Sequence, residues 1–350
     1  MSTMLKVLTK LVACRQACGH QLQRGRHFTN AGASVVENLS GKRCVLHLQG
    51  VDRYSFLQGL VTNDVEQLQG GANRECMYSL MLNHKGRFMH DLFLYKLSEE
   101  SSLLIDLHKD SLKSVVKVLN RYKLRSKIDI KDVSEEYSVL YSSTDTLDDD
   151  AFPSRKHIFK DPRHASLGYR CLVEVAPSEL PSNLLEDAPT YHTRLRYTLG
   201  IPEGDDEIPS GKAIPLEYNL DALNGISYTK GCYMGQELTA RTHFQGLVRK
   251  RLTPVTISSA GADDETMRRM QNAEKVEVVD TTSRKKKIGQ LVAAQGQQGL
   301  ALLRLKGLEG KQLGLRLKSK SAGDDAHLDA HLDAHLPEWW RPEWYASAQE

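Results

Sequence analysis

Cysteine is scarce in this chain, six residues in 350, and no two of them form a Cys-x-x-Cys pair. That excludes a disulfide scaffold, and it excludes a zinc or iron–sulfur site built from four neighbouring cysteines. Long apolar runs are missing too: no stretch of about eighteen uncharged apolar residues occurs, so no membrane-spanning helix is expected. Charge of one sign is not in excess, with 47 Lys and Arg against 44 Asp and Glu. What surplus there is lies at the N-terminus, where Lys6, Lys10, Arg15, Arg24 and Arg26 precede the first acid, Glu37. The rest of the chain is slightly acidic, so nothing favours capture of nucleic acid through its phosphates. With 40% hydrophobic residues at this length, two or three compact units with ordinary cores are expected.

Residues 1–36 read as a mitochondrial matrix presequence. They hold no acid, and Leu5, Val7, Leu8, Leu11 and Val12 form one apolar face on a transient helix. Lys6 and Lys10 break the apolar core that a secretory signal requires, and Arg26-His27-Phe28 suits a nearby processing site. Cys14 and Cys18 leave with this segment, so Cys44, Cys76, Cys171 and Cys232 remain.

The periodicity predicts an α+β fold rather than a doubly wound sheet. In a first domain, 37–135, Cys44 to Gln49 is β-prone and ends at Gly50, after which Asp52 caps a short helix presenting Phe56, Leu57, Leu60 and Val61. Met77 to Leu82 and Phe88 to Leu97 read as strands joined by the hairpin Asn83-His84-Lys85-Gly86. Leu103 to Leu107 is another strand, and Leu112, Val115, Val116 and Leu119 mark a helix that Asp110 caps. A second domain, 136–248, holds strands at Tyr137 to Tyr141 and Cys171 to Val175 and a helix over 190–199 stopped by Gly200. From 249 to 320, short apolar runs at regular spacing predict a small β-barrel. Residues 321–350 carry seven acids against Arg341 alone, in part as three Asp-Ala-His-Leu units, and read as a solvated tail. Its His327, His331 and His335 would line up as metal ligands only on a helix.

The candidate chemistry concentrates in Lys230-Gly231-Cys232-Tyr233-Met234-Gly235-Gln236-Glu237. Gly231 and Gly235 let the backbone turn and put the Cys232 thiol at a loop tip, where Lys230 and free backbone amides favour the thiolate. Arg241 and His243 follow at short distance. A lone cysteine in a glycine loop is more often an inert packed thiol, so spacing leaves both readings open.

With Ala240-Arg241 behind it, the stretch from Ile226 to Glu237 resembles the K-G-C-Y-x-G-Q-E…A-R signature of YgfZ-type proteins. These are relatives of the tetrahydrofolate-dependent aminomethyltransferase of the glycine cleavage system. Three further stretches agree in order: Gln49 to Val65 with its Gln-Gly-Val-Asp and Thr-Asn-Asp-Val elements, Lys85-Gly86-Arg87 with Asp91-Leu92, and Gly299 to Arg304. The resemblance implies an aminomethyltransferase-like α+β fold with a small C-terminal β-barrel around a central opening. Joined to the presequence, it implies the mitochondrial branch that acts late in iron–sulfur cluster assembly, maturing [4Fe-4S] proteins with A-type carrier proteins, as an assembly factor rather than an enzyme.

On that resemblance, Cys232 is a ligand of a [2Fe-2S] or [4Fe-4S] cluster shared transiently with the carrier. Lys230, Gly231, Tyr233, Gly235, Gln236, Glu237 and Arg241 form its supporting loop, and Asn63, Asp64 and Asp91 line the cavity. Asn63 and Asp64 suit the exit turn of the first helix equally well. No nucleic-acid or membrane partner is implied, and the free protein is expected to be a monomer. The competing implication is a one-carbon transferase with tetrahydrofolate in the cavity. Two departures weigh against it. His90-Asp91 leaves one carboxylate where the aminomethyltransferases have adjacent acids, and strand alternation turns only one of that pair inward, for which Asp91 is preferred. Arg196-Tyr197-Thr198-Leu199-Gly200 puts Thr198 where their R-x-E-x-G element has the acid that clamps the pterin. Cys44, Cys76 and Cys171 sit in apolar runs and read as core thiols.

The acid-free segment sets the first test: N-terminal sequencing of protein recovered from mitochondria should find a start between about residues 25 and 40. An intact Met1 form in the cytosol as the main species would contradict it.

Overall fold

The computed structural model describes residues 34–69, 74–97, 102–185, 190–259, 270, 275–282, 286–306, 312–318 and 326–346. Most of the expected presequence, 1–33, lies outside them. Two open sheets and a barrel organise the described residues, and all the pairings in the sheets are antiparallel. The second sheet contains β1 (Val36–Asn38), β7 (Ser138–Ser142), β8 (Lys156–Lys160) and β9 (Tyr169–Val173), in the order β1-β7-β9-β8. The first contains β2 (Arg43–Gln49), β3 (Cys76–Leu82), β4 (Phe88–Lys96), β5 (Ser102–His108) and β6 (Asp129–Asp132), in the order β3-β4-β5-β2-β6. Because β1 pairs with β7, the chain opens in the second sheet before it builds the first.

Alternation along the strands divides the core. One face of the five-stranded sheet presents Val45, Tyr78, Leu80, Phe93 and Leu104 to Val139, Tyr141 and Leu172 of the other sheet. Its opposite face, with Leu46, Leu48, Leu92, Leu94 and Ile105, is covered by α1 (Arg53–Gln58) and α2 (Leu112–Lys123) through Phe56, Leu57, Val115 and Leu119. The predicted side-chain caps do not form. Asp52 accepts instead from the Lys127 amide at 2.7 Å, and Ser111 stands at the start of α2 without a side-chain cap. After α3 (Thr190–Leu199), Gly200 at φ +74° ends the helix as its sequence suggests. The short α4 (Gly204–Glu207) follows.

The barrel is closed by β10 (Lys250–Ser259), β11 (Lys275–Asp280), β12 (Lys286–Gln295), β13 (Gln298–Arg304), β14 (Leu313–Lys318) and β15 (Ala326–Ala334). Its sixth strand corrects the expected barrel end at 320 and the expected solvated tail. The Asp-Ala-His-Leu unit alternates apolar and polar with period two, so Ala330 and Leu332 turn inward while His331 and Asp333 are exposed. A strand also removes the helical spacing on which a three-histidine site would depend.

Charges fill the space between the two sheets. Arg43 Nε donates to Asp106 Oδ1 at 2.6 Å and Nη1 to Asp91 Oδ1 at 3.0 Å. Arg170 Nη2 reaches Asp106 Oδ2 at 2.6 Å and Nη1 reaches Glu203 Oε2 at 3.0 Å. Arg163 bridges Asp161 and the same Glu203 oxygen, each at 2.8 Å. All three guanidiniums lie over the Phe93 ring, Arg170 at 3.8 Å from its centroid. Burial alone would raise the pKa values of Asp91 and Glu203, but the arginines hold both below the usual carboxylate range. Their contribution is therefore full above the unfolded carboxylate pKa, near about 4, and is lost as pH falls through the folded values.

Removing Asp106 takes one carboxylate from each of two buried cations, Arg43 and Arg170. Asp106→Asn should cost about 3–5 kcal/mol in urea denaturation at neutral pH, and a loss below about 1 kcal/mol would contradict this description.

Candidate functional site

The residues from Lys230 to Glu237 form a loop whose ends are fixed and whose tip is free. Lys230 Nζ donates to three carbonyls, Gln58 O at 2.7 Å, Val61 O at 2.9 Å and Asn63 O at 2.6 Å. Those acceptors lie at the end of α1 and in the turn after it, where helix carbonyls lack intrahelical partners. Burial lowers the Lys230 pKa to about 8 while Asp64 and Glu66 pull it upward. The ammonium is thus spent on holding the loop, and not on the thiol as the sequence reading expected.

Past the tip, the Met234 amide donates to Gly59 O at 3.1 Å, and Tyr233 is buried with Lys230 over its ring at 5.3 Å. Gly235, at φ +81°, precedes α5 (Gln236–Gln245). A Cβ there would lie 2.4 Å from Asn83 O, and one on Gly86, φ +71°, would lie 2.6 Å from Leu238 Cβ. Two glycines far apart in sequence therefore let the β3–β4 hairpin and the start of α5 touch. Gly231 has no such need: its φ is not positive, and a Cβ would meet nothing within 4 Å. Only one of the two bracketing glycines is conformationally required, and the space beside Gly231 is open.

Between these anchors Cys232 is exposed. It stands three residues before the α5 N-cap. Gln236 Oε1 accepts from the Tyr233 amide at 3.4 Å. Glu237, in the first turn of α5, and Arg241, further along it, are exposed. His243 does not approach the thiol through a bond. It stacks on Tyr228 at 3.6 Å and ties the far end of α5 to the base of the loop.

The three expected cavity residues do not share a cavity. Asn63 is buried and bridges Tyr78 O and Asn224 O through Nδ2, at 2.8 and 2.7 Å, on the wall of a 360 Å³ cavity that also includes Cys76 and Asp161. Asp64 accepts from Gln58 Nε2 at 2.8 Å and steadies the turn after α1. Asp91 points between the sheets, as alternation requires, but it is fully buried on Arg43 and the Gly204 amide. A pterin does not fit these residues. Thr198 is exposed and donates back to Arg194 O, and the inward carboxylates are bound to arginines. Arg43, Asp106, Arg163, Arg170 and Glu203 were absent from the sequence reading. Their signal was a charge inside an apolar strand, as in Leu104-Ile105-Asp106-Leu107.

Two sheets with an arginine-filled interior and a closed barrel define an aminomethyltransferase-type fold, and Cys232 lies exposed on a pinned loop at its surface. The GCVT N-terminal domain profile matches residues 41–141, and the CAF17 C-terminal beta-barrel domain profile matches 249–342. The chain is 35% identical over 323 residues to the mitochondrial iron–sulfur cluster assembly factor IBA57 of Mus musculus, covering 85% of this chain and 83% of the relative. Against IBA57 of Homo sapiens it is 34% identical over 318 residues, covering 85% and 83%. The crystal structure of glycine cleavage system aminomethyltransferase T from Bartonella henselae superposes with TM-score 0.62 at 13% identity, covering 88% of this chain and 86% of that one, a likeness of fold. The chain belongs to the IBA57 family.

Burial pushes the thiols of Cys44 and Cys171 up to about 12, and that of Cys76 upward as well. Iodoacetamide applied to the folded protein near about pH 7.5 should therefore modify Cys232 and spare these three until denaturant is added, read by peptide mass mapping. Faster labelling of Cys171 than of Cys232 would overturn the site geometry.

Proposed function

We propose that this chain is an iron–sulfur cluster assembly factor of the mitochondrial matrix, acting late in the maturation of [4Fe-4S] proteins. Cys232 supplies one thiolate to a cluster whose remaining thiolates come from an A-type carrier. The observation that carries this reading is the exposed Cys232, pinned by Lys230 on one side and by Tyr233 and Gly235 on the other. A cluster takes four ligands, most often thiolates. The other described cysteines are Cys44 and Cys171 in the core and Cys76, half-buried on a cavity wall, so among the described residues Cys232 is the one exposed thiol, and a second molecule brings the remaining ligands.

The loop suits a passing anionic cargo. It lies just before the N-terminus of α5, whose dipole favours negative charge, and the open space at Gly231 admits the backbone of a carrier. The relatives bear the name of mitochondrial assembly factors, and the acid-free first 36 residues supply the argument for the matrix. A folate-dependent transferase has only the fold in its favour. Thr198 faces solvent and Asp91 is committed to Arg43, so neither of the two positions that the resemblance assigns to folate chemistry offers a free carboxylate.

Cys232→Ala should leave folding stability within about 1 kcal/mol of the parent, because the side chain is exposed. Maturation of [4Fe-4S] enzymes in cells that rely on this chain should nevertheless fail. Cys171→Ala should behave in the opposite way, costing about 1–3 kcal/mol while each folded molecule still supports assembly. Full maturation by Cys232→Ala would sink the shared-ligand reading.

A further inference from the structure

His108 closes β5 with 5% of its surface exposed; Nδ1 has no hydrogen-bond partner, and Nε2 has only the long approach of Asp206 Oδ2 at 3.5 Å. A buried imidazole ordinarily bonds through at least one nitrogen. The neighbouring histidine on the same sheet does so: His90 meets Ser111 Oγ at 2.9 Å through Nδ1 and Ser114 Oγ at 2.7 Å through Nε2. His108 is also held firmly where it is. Its Cδ2 lies 2.6 Å from the place a Cβ on Gly204 would occupy, so the glycine, at φ +74°, makes room for the ring.

Two carboxylates converge on this imidazole. One oxygen each of Asp110 and Asp206 and one nitrogen of His108 all lie within 4.8 Å of one another. Nε2 and Asp206 Oδ2 are 3.5 Å apart, beyond the usual N–H···O length. Donors bound at about 2.1 Å to one tetrahedral ion stand roughly 3.4 Å apart, close to the separation of this one pair. The adjacent acid, Asp205, is engaged elsewhere, by Ser111 Oγ at 2.6 Å. Lys42 Nζ sits 2.8 Å from Asp206 Oδ2, on a side chain 63% exposed that is free to swing away.

We propose that His108, Asp110 and Asp206 bind one divalent first-row transition ion of the Mn(II), Fe(II) or Zn(II) type. One imidazole nitrogen with two carboxylate oxygens and no thiolate selects that class over soft monovalent copper. Asp110 and Asp206 are both exposed, so water completes the coordination. The ion would tie the end of β5 and the turn before α2 to α4, and its competitor for Asp206 is the Lys42 ammonium. The proposal does not depend on the role of Cys232.

The test is titration of Mn(II) into the purified full chain, followed by electron paramagnetic resonance. One bound ion is expected, with pulsed-resonance coupling to a directly bound nitrogen that His108→Gln abolishes. Asp110→Asn and Asp206→Asn should each weaken binding by at least roughly tenfold, and Lys42→Met should tighten it. Cys232→Ala should leave Mn(II) binding unchanged. Should His108→Gln fail to fold, the two surface carboxamide variants decide the matter alone. Absence of a Mn(II) or Zn(II) site in the parent, equal binding by Asp110→Asn and Asp206→Asn, or loss of binding in Cys232→Ala would overturn the proposal.

Discussion

Three arginines buried around one phenylalanine ring set the conditions for the rest of this molecule. Arg43, Arg163 and Arg170 draw Asp91, Asp106, Asp161 and Glu203 from both sheets and from the segment before α4 into one network. Burying so many charges gains little net stability, because desolvation opposes the Coulombic attraction. Its effect is on arrangement: any slip of strand register would leave a cation unpaired, so the two sheets have one favourable way to meet. The network also commits Asp91 to Arg43, so that carboxylate is not free for other partners.

At the surface, the contact that fixes the Cys232 loop is made by Lys230. One ammonium satisfies three carbonyls around the end of α1, which joins the Cys232 loop to the first sheet's helical layer. Gly86 and Gly235 add a second join, backbone against backbone. A thiol held at both ends loses little freedom on meeting a partner, so more of its interaction energy appears as affinity. The lysine acts as a mount, and the thiol it positions is exposed.

Much of this was legible in the sequence. Strand alternation located β2 to β5 to within a residue or two, and the Asn83-His84-Lys85-Gly86 hairpin and the stop at Gly200 followed from backbone preferences that few other residues share. The Cys232 loop was legible as a motif. Its mechanics were not, because Lys230's acceptors are backbone carbonyls some 170 residues away in sequence, and carbonyls leave no mark on a sequence. The arginine network was missed for a related reason. A single charge in an apolar strand predicts a buried partner but not which one, and Asp91 alone looked like a cavity acid. The Asp-Ala-His-Leu repeat misled because low complexity suggests a tail, although its period of two is that of a strand.

The central claim is that Cys232 completes a cluster held between two chains, and its most direct measurement is anaerobic reconstitution with iron and sulfide, read by visible absorption. The chain alone should hold no stable cluster. Mixed with an A-type carrier, it should form a coloured complex whose sulfur-to-iron absorption depends on Cys232 and disappears in Cys232→Ala. A stable cluster on the chain alone, or an unchanged spectrum of the mixed complex with Cys232→Ala, would contradict it.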